Sequence, residues 1–276
     1  MIVFDIGANK GEFSEHVLRQ NPSAQVFAFE PNIGVCGISL MDLKGDFPNR
    51  LQVSFVALGT ESGPRELYGS KLMNGQLGSL IPLNVESGGW NFHADILSSE
   101  NSNIESETIT VLAVSELVNT LNQNTIDFLK IDTQGTDVLI LAEFLKFFKV
   151  VSGVVEVDAG NFSEGFRYET GDNRIEDLVT LLTEHKFLIT KVLPNNSRSD
   201  ELNIYFSSSQ EVFDETVTAL KLSSNPALAR YWVIQGIGTS ENENNQVLLN
   251  RFRKKILRSL LHPKSSFRSV LLKLTK

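Results

Sequence analysis

The stretch M-I-V-F-D-I-G-A-N-K-G, residues 1–11, decides the fold of this 276-residue chain. Apart from Asp5, residues 2–6 are apolar and suit a strand that is buried on both faces. Small residues then form a tight turn that ends at Gly11, and residues 12–20 place apolar side chains at helical spacing. A strand, a glycine turn and a helix predict the opening of a nucleotide-binding α/β unit, in which backbone N–H groups can approach a ligand closely.

The spacing within the turn separates two classes of nucleotide site. A dinucleotide site has the pattern G-x-G-x-x-G, whose middle glycine makes room for a pyrophosphate. Here Asn9 takes that middle place, so the pattern from Asp5 to Gly11 is D-x-G-x-x-x-G. In this form, with an acidic residue on the strand, the turn resembles that of S-adenosylmethionine-dependent methyltransferases.

A second strand, predicted over residues 25–29, supports a nucleotide site. It ends in F-E-P-N, and Glu30 follows Gly11 by 19 residues. At that place an acidic side chain can accept two hydrogen bonds from ribose hydroxyls. NAD-dependent enzymes place an acid similarly, so Glu30 indicates a ribose without naming the cofactor.

Composition sets the broad class of the protein. The chain is 41% hydrophobic, which allows one large α/β core, and no stretch reaches the roughly 18 apolar residues of a membrane span. A secretory signal before the first strand is not expected. The single cysteine, Cys36, permits no internal disulfide and is expected to be a small buried side chain rather than a nucleophile. We therefore expect a cytoplasmic protein.

Charge is distributed unevenly along the chain. Residues 251–276 hold nine Lys or Arg and no acid, so residues 1–250 carry 16 basic against 33 acidic side chains, a net charge of −17. Such a body is not expected to bind nucleic acid. The segment 246–276 reads as a basic amphipathic helical tail, which can lie on an anionic membrane at the inner face of the cell. Docking on the acidic body or on a partner protein is an equal alternative.

The remaining apolar runs predict a doubly wound sheet of seven strands. Helical segments alternate with strands, which favours a parallel sheet. Only residues 194–201 separate the last two strands, too few for a crossover helix, so the last strand should be antiparallel. Residues 60–106 are rich in Gly, Ser and Asn and predict hairpins and loops at the mouth of a cleft. The strands after the first two are predicted at 51–56 (ending in Ala57-Leu58-Gly59), 126–131, 150–157, 187–193 and 202–206, and residues 107–111 also alternate as a strand does.

Four motifs in order resemble those of the FkbM family of S-adenosylmethionine-dependent methyltransferases: residues 3–11, F-E-P-N at 29–32, A-L-G at 57–59 and K-I-D-T-Q-G at 130–135. The resemblance implies the class I methyltransferase fold, Rossmann-like, over residues 1–208. A helix with connecting loops at 209–245 and the tail at 246–276 would follow. It also implies methylation of hydroxyls on sugars, polysaccharides or related acceptors.

One departure concerns the fourth motif. The family pattern there is K-I-D-x-E-G-x-E, and Gln134 replaces its first glutamate, whereas Asp137 keeps the second acid. This leaves the cofactor assignment intact and leaves the substrate and the base open.

The resemblance implies S-adenosylmethionine as cofactor, held by the turn and the next two strand ends. Gly7 and Gly11 would accommodate its methionine portion, Asp5 would anchor the turn, and Glu30 would hold the ribose. The turn at residues 57–59 would border the adenine. The other residues predicted to contact the cofactor are Ala8, Asn9, Pro31, Ala57 and Leu58.

Two residues are candidates for work on the acceptor hydroxyl. Ligands of open α/β sheets lie beyond the carboxyl ends of the strands, where Asp132 is placed. It could orient or deprotonate the acceptor, or it could merely cap the following helix. His93, in an aromatic loop predicted beside the cleft, is the second candidate base. Asp132, Glu156 and Asp158 could gather a hard cation, but strand-end acids are common without one, so no metal is predicted.

Two other functions stay open. One is an NAD-dependent oxidoreductase, which Asn9 and the closing strand pair disfavour. The other is a degenerate, non-catalytic member of a glycan assembly complex, tethered by the basic tail. Intact Asp5, Gly7, Gly11 and Glu30 argue against it.

Overall fold

The computed structural model describes residues 1–84, 105–121, 123–158, 168, 173–194 and 201–222. These residues belong to one compact unit, Met1–Ala229. His93, most of the segment 209–245 and the basic tail at 246–276 lie outside the described residues. The domain boundaries at 208 and 245 therefore stay predictions.

The described residues form ten strands, six α-helices and a short 3-10 helix at Leu72–Gly75. The strands are β1 Ile2–Ile6, β2 Gln25–Phe29, β3 Leu51–Ser54, β4 Ala57–Gly59, β5 Gly63–Tyr68, β6 Ser106–Ala113, β7 Thr125–Ile131, β8 Lys149–Asp158, β9 Leu188–Pro194 and β10 Glu201–Ser207. The helices are α1 Glu12–Gln20, α2 Ile33–Asp46, α3 Val114–Thr120, α4 Asp137–Phe147, α5 Ile175–Glu184 and α6 Gln210–Leu220.

Seven strands form the main sheet in the order β3-β2-β1-β7-β8-β10-β9. The first five of these pair in parallel, and β10 is antiparallel to both β8 and β9. This confirms the predicted class I sheet, mostly parallel with an antiparallel last strand. The short connection before β10 enforces that direction, because it cannot carry the chain back across the sheet.

β1 is an interior strand, and the order in which the chain adds strands reverses beside it. The chain proceeds outward from β1 through β2 to β3, and later resumes on the other side of β1 with β7. Ligands of doubly wound sheets bind at such a switch point, beyond the carboxyl ends of the strands. Phe4 of β1 packs in the core, with ring centroids 5.0–6.0 Å from four other aromatic rings, those of Phe27, Phe29, Phe144 and Phe148.

The third predicted strand is wrong in one respect. β3 ends at Ser54, and Ala57–Gly59, expected as a turn at the end of that strand, forms the separate strand β4. β4 and β5 both pair with β6 in a second, three-stranded sheet. Residues 107–111, whose polar and apolar side chains alternate, belong to β6. Every second side chain from Ser106 to Thr110 is exposed on one face of this strand of the small sheet. Interior strands of the main sheet, such as β1 and β2, are instead largely apolar on both faces.

None of the described helices is both long enough and apolar enough to cross a membrane.

Gly7 is the residue on which the first turn depends, and its replacement tests this. Its φ is +71°, and a Cβ atom there would lie 1.8 Å from the carbonyl oxygen of Asp132. We expect Gly7→Ala to lower the free energy of unfolding by about 3 kcal/mol or more, measured by urea denaturation. Gly45, in α2, is the matched control because a Cβ atom there would meet nothing within 4 Å. Gly45→Ala should raise stability by about 0.5–1 kcal/mol. Equal effects at the two positions would contradict this packing.

Candidate functional site

The candidate site lies where β1, β2, β7 and β8 end at their carboxyl edge. β1 leads into the turn Gly7–Gly11, and β2 leads into Glu30. β7 is followed by Asp132, and Glu156 lies near the end of β8. The parallel registers of these strands bring the four segments to one edge.

The amide groups of the turn are all used within the protein. Gly7 and Ala8 both donate to the carbonyl oxygen of Phe29, at 3.0 Å each. Asn9 donates to Oε2 of Glu30 at 2.8 Å. The two remaining donors and their acceptors are Lys10 with Oδ1 of Asn9 at 2.8 Å, and Gly11 with the carbonyl of Ala8 at 2.9 Å. This differs from the expectation that these N–H groups face a ligand, because left-handed residues fold the turn back onto the end of β2.

Glu30 is buried and held by backbone donors on both sides. Its Oε2 accepts from Asn9, and its Oε1 accepts from the N–H of Asn32 at 2.9 Å. Burial raises the pKa of this carboxyl, and the N–H groups of Asn32 and Asn9 oppose that rise. Asn32 also caps α2, because its Oδ1 accepts from the N–H of Val35. A carboxylate has about four acceptor positions, so this one keeps capacity for ribose hydroxyls.

Lys130 joins the turn to two carboxylates. Its Nζ donates to the carbonyl oxygen of Gly7 at 2.6 Å and forms ion pairs with Asp5, at 3.2 Å, and with Asp132, at 3.6 Å. Burial opposes the ammonium charge, but the charges of Asp5 and Asp132 outweigh it, so the pKa of Lys130 lies above its ordinary value. A lysine inside an apolar strand rarely lacks a partner, and that signal could have shown its role.

Asp5 is fully buried beneath the turn. Its Oδ2 accepts from the hydroxyl of Ser14, at 2.6 Å, and its Oδ1 faces Lys130. The carboxylate therefore ties β1 to α1 and, through the ammonium group, to Gly7. It lies behind the turn rather than on its outer surface.

A second polar network surrounds Asp132. Its Oδ1 accepts from Nε2 of Gln134 at 3.0 Å, and the same nitrogen donates to Oε1 of Glu156 at 3.1 Å. The hydroxyl of Tyr168 donates to Oε1 of Gln134 at 3.1 Å. The structure thus brings together Asp132 and Glu156, two of the three acids considered for a cation. Within the described residues, no three His, Cys, Asp or Glu side chains are grouped so as to hold a metal ion.

The alternative role of Asp132 as a helix cap is not seen. Thr136 is the N-cap of α4, and Asp137 is its first residue. Oδ1 of Asp137 accepts from the N–H of Thr133 at 2.6 Å, and its Oδ2 accepts from the N–H of Gly135 at 3.1 Å. Burial, and then the charge of Asp132, raises the pKa of Asp137 to about 7. Asp137 thus holds the turn between β7 and α4.

The segment after β5 packs against that same turn. The hydroxyl of Ser79 donates to the carbonyl oxygen of Gln134 at 2.6 Å. The ring of Tyr168 lies over Gly135, where a Cβ atom would be 2.9 Å from it. The segment 60–106, predicted at the mouth of a cleft, therefore touches the site through Ser79. Residues 85–104 of that segment lie outside the described residues.

The other predicted cofactor residues are placed near Glu30 or beyond β3. Pro31 is half-buried beside Glu30, and Ala57 and Leu58 are buried in β4. Cys36 is buried with its Sγ 3.8 Å from Oδ1 of Asn9. Burial, and then the charge of Glu30, raises the pKa of this thiol to about 12, so it stays neutral and makes a poor nucleophile.

The raised pKa of Asp137 predicts a change in the pH dependence of stability. An unfolded Asp titrates near 3.9, so between about pH 4 and 7 the folded chain binds the extra proton and stability falls as pH rises. Asp137→Asn has no carboxyl at this position and therefore lacks this contribution. From pH 5 to pH 8 the free energy of unfolding of wild type should decrease relative to that of the variant, by at most about 1.4 kcal/mol per pH unit. Urea denaturation across this range measures it.

Asp42, exposed on α2, supplies the control. Asp42→Asn should follow the wild-type pH dependence. An Asp137→Asn curve parallel to wild type would contradict the raised pKa.

Comparison with solved structures finds likeness over three quarters of this chain. An O-methyltransferase family 2 protein from Planctomyces limnophilus DSM 3776, in complex with apigenin, shows 10% identity and a TM-score of 0.39 and covers 75% of this chain and 51% of its own. The pyocyanin biosynthetic protein PhzM shows 13% identity and a TM-score of 0.37, and the match covers 75% of this chain and 50% of PhzM. LaPhzM shows 12% identity and a TM-score of 0.36, and the match covers 75% of this chain and 49% of LaPhzM. This chain spans about half the length of each.

Comparison with known families is more specific. No curated protein matches the chain. Residues 5–189 match the family described as the methyltransferase FkbM domain. That range runs from Asp5 on β1 into β9 and contains every described part of the candidate site. Because it covers well over half of the sequence, the chain belongs to the FkbM methyltransferase family.

Proposed function

We propose that this chain is an S-adenosylmethionine-dependent O-methyltransferase. Its acceptor is a hydroxyl group of a saccharide, a glycolipid or a similar polyhydroxylated molecule. Family membership supports methyl transfer. The observation that carries the cofactor assignment is the first turn, whose amide groups are occupied within the protein beside the buried Glu30.

The occupied turn argues against a dinucleotide. A pyrophosphate is bound by free backbone N–H groups at a glycine turn and by the positive end of the following helix. Here the N–H groups from Gly7 to Gly11 already have acceptors, and the first turn of α1 carries Glu12 and Glu15. Two acids at that helix end repel an anion. An NAD-dependent reaction is therefore the weaker alternative.

The charges at the strand ends suit a cationic cofactor. Glu30, Asp132 and Glu156 all lie at this edge, and Lys130 balances only part of their charge. When bound, S-adenosylmethionine supplies a reactive methyl group on a positively charged sulfur. Glu30 would hold its ribose hydroxyls, and the Gly7–Gly11 turn would lie along its methionine portion. Ala57 and Leu58 are proposed beside the adenine.

Asp132 is proposed to orient the acceptor. Its side chain is 36% exposed, so a hydroxyl can reach it, and the carboxylate can accept the hydroxyl proton or hold it in a hydrogen bond. Holding the acceptor oxygen in line with the methyl group supplies a large part of the rate increase by itself. His93 stays the alternative base. A neutral polyol is favoured over an anionic acceptor, since the acids would repel an anion.

Calorimetric titration with S-adenosylhomocysteine tests the cofactor. We expect binding in roughly the micromolar range, and an affinity about 10–100-fold lower for Glu30→Ala, which loses charged hydrogen bonds to the ribose. Glu61, exposed on the small-sheet side, supplies the control, and Glu61→Ala should bind as wild type does. NAD, titrated in parallel, should give no signal.

The alternatives give different results. Binding of NAD in place of S-adenosylhomocysteine would overturn the methyltransferase proposal. Cofactor binding with no turnover on any hydroxyl acceptor would favour the non-catalytic scaffold instead.

The basic tail supports a separate proposal of peripheral membrane contact at the inner face of the cell membrane. Residues 251–276 carry nine basic side chains and no acid. Each Lys or Arg near an anionic surface contributes about 1 kcal/mol of attraction. We expect the full chain to sediment with anionic liposomes and a chain lacking residues 246–276 to stay in the supernatant with its cofactor affinity unchanged. A full chain that stays in the supernatant would favour docking on the body or on a partner protein.

A further inference from the structure

The amide of Gln134 lies between two carboxylates. Its Nε2 is 3.0 Å from Oδ1 of Asp132 and 3.1 Å from Oε1 of Glu156. An amide NH₂ group has two hydrogens, so each carboxylate receives one of them. Two carboxylates this close repel each other, and a shared proton, a cation or a shared donor must offset that repulsion. Here the donor is a neutral side chain.

The orientation of this amide is determined by its surroundings. A carboxylate can only accept hydrogen bonds, so the NH₂ end must face Asp132 and Glu156. The oxygen end then faces the hydroxyl of Tyr168, which donates to it at 3.1 Å. The opposite orientation would place the amide oxygen against two acceptors. The network therefore admits one orientation of the amide.

The backbone places this side chain between the strand ends. Gln134 has a φ of +56°, in the left-handed region, and Gly135 follows with a φ of +111°. The missing side chain of Gly135 admits the ring of Tyr168, which is buried and carries the hydroxyl to the amide. The hydroxyl of Ser79 holds the carbonyl oxygen of Gln134 from the other side. A left-handed residue that four hydrogen-bond partners hold in place is typical of a functional site.

We propose that Gln134 is a positioning residue of the acceptor site, which ties the carboxylate of Asp132 to the buried Glu156 and takes the place that a cation would occupy. This rests on the proposed function, in which Asp132 contacts the acceptor hydroxyl. Glu156 is the fixed end of the link because it is buried, whereas Asp132 reaches solvent. The arrangement aims Asp132 without a metal ion.

Other charged or polar residues also lie near this pair. Lys130 lies 3.6 Å from Oδ2 of Asp132, on the side away from Gln134. Asp137, buried at the start of α4, feels the charge of Asp132. Asn203 of β10 is the register neighbour of Glu156. Lys130 contacts the other oxygen of Asp132 and therefore does not replace the amide of Gln134. Removal of that amide should raise the proton affinity of Glu156, of Asp132 or of both.

The first test measures the proton affinity of the two acids by carbon NMR of their carboxyl groups, in the full chain. The signals are assigned from their loss in Asp132→Asn and Glu156→Gln. In Gln134→Leu we expect at least one of the two to bind its proton about tenfold more tightly than in wild type. Tyr168→Phe, which keeps the ring over Gly135 but removes the hydroxyl that donates to the amide oxygen, should give a smaller change in the same direction.

The second test uses Mn²⁺ as a probe. Gln134→Glu replaces the shared donor by a third carboxylate, and three converging carboxylates suit a hard cation. We expect Mn²⁺ to raise the melting temperature of Gln134→Glu and to bind it at least tenfold more tightly than wild type. The gain should vanish in the double variant Gln134→Glu with Asp132→Asn. Gln52→Glu, on the exposed side of β3, adds the same charge three strands away and should gain nothing.

Two results would overturn the proposal. One is a Gln134→Leu chain, folded by circular dichroism, whose two carboxyl titrations match wild type. If that variant does not fold, unchanged titrations in Tyr168→Phe serve the same purpose. The other is a Gln134→Glu chain that binds Mn²⁺ no better than Gln52→Glu. Neither depends on the cofactor, so absence of S-adenosylhomocysteine binding would reject the proposed function alone.

Discussion

The contact between the first turn and the end of β7 is the constraint on which the site depends. Gly7 lies against the carbonyl oxygen of Asp132 so closely that no side chain fits between them, and the ammonium group of Lys130 bridges the two segments from below. Asp5 balances that charge inside the sheet. Such a buried pair adds little net stability, but removing either partner leaves an uncompensated charge. The charged groups of Asp5, Lys130 and Asp132 therefore stabilise one arrangement of the strand ends.

This constraint also sets the electrostatics of the strand ends. The turn packs against the end of β2, where Gly7 and Ala8 donate to Phe29 and Asn9 donates to Glu30. Carboxylate oxygens, which accept hydrogen bonds, therefore line the strand ends. An edge of that kind favours hydroxyl groups and positive charge over phosphate. The network around Gln134 follows the same logic, because an amide donor lets two acids share one edge.

Much of the fold could be predicted because its signals are local. The bounds of β1, α1 and β2 follow from apolar runs, glycine and helical spacing over residues 2–29, and the last hairpin follows from loop length. The error at Ala57–Gly59 has a physical cause. A short apolar segment next to a strand suits either sheet, and only pairing with β6, some fifty residues later, assigns it to the second one.

The sequence by itself determined the sheet, the family motifs and the residue types at each strand end, since these depend on burial and on neighbours along the chain. It named Asp5, Glu30 and Asp132 but could not say which groups they contact. The tertiary structure alone decided that Asp5 faces Lys130 behind the turn and that Gln134 joins Asp132 to Glu156. Those partners come from different strands, and hydrogen bonds between strand ends depend on distances that only the assembled sheet sets.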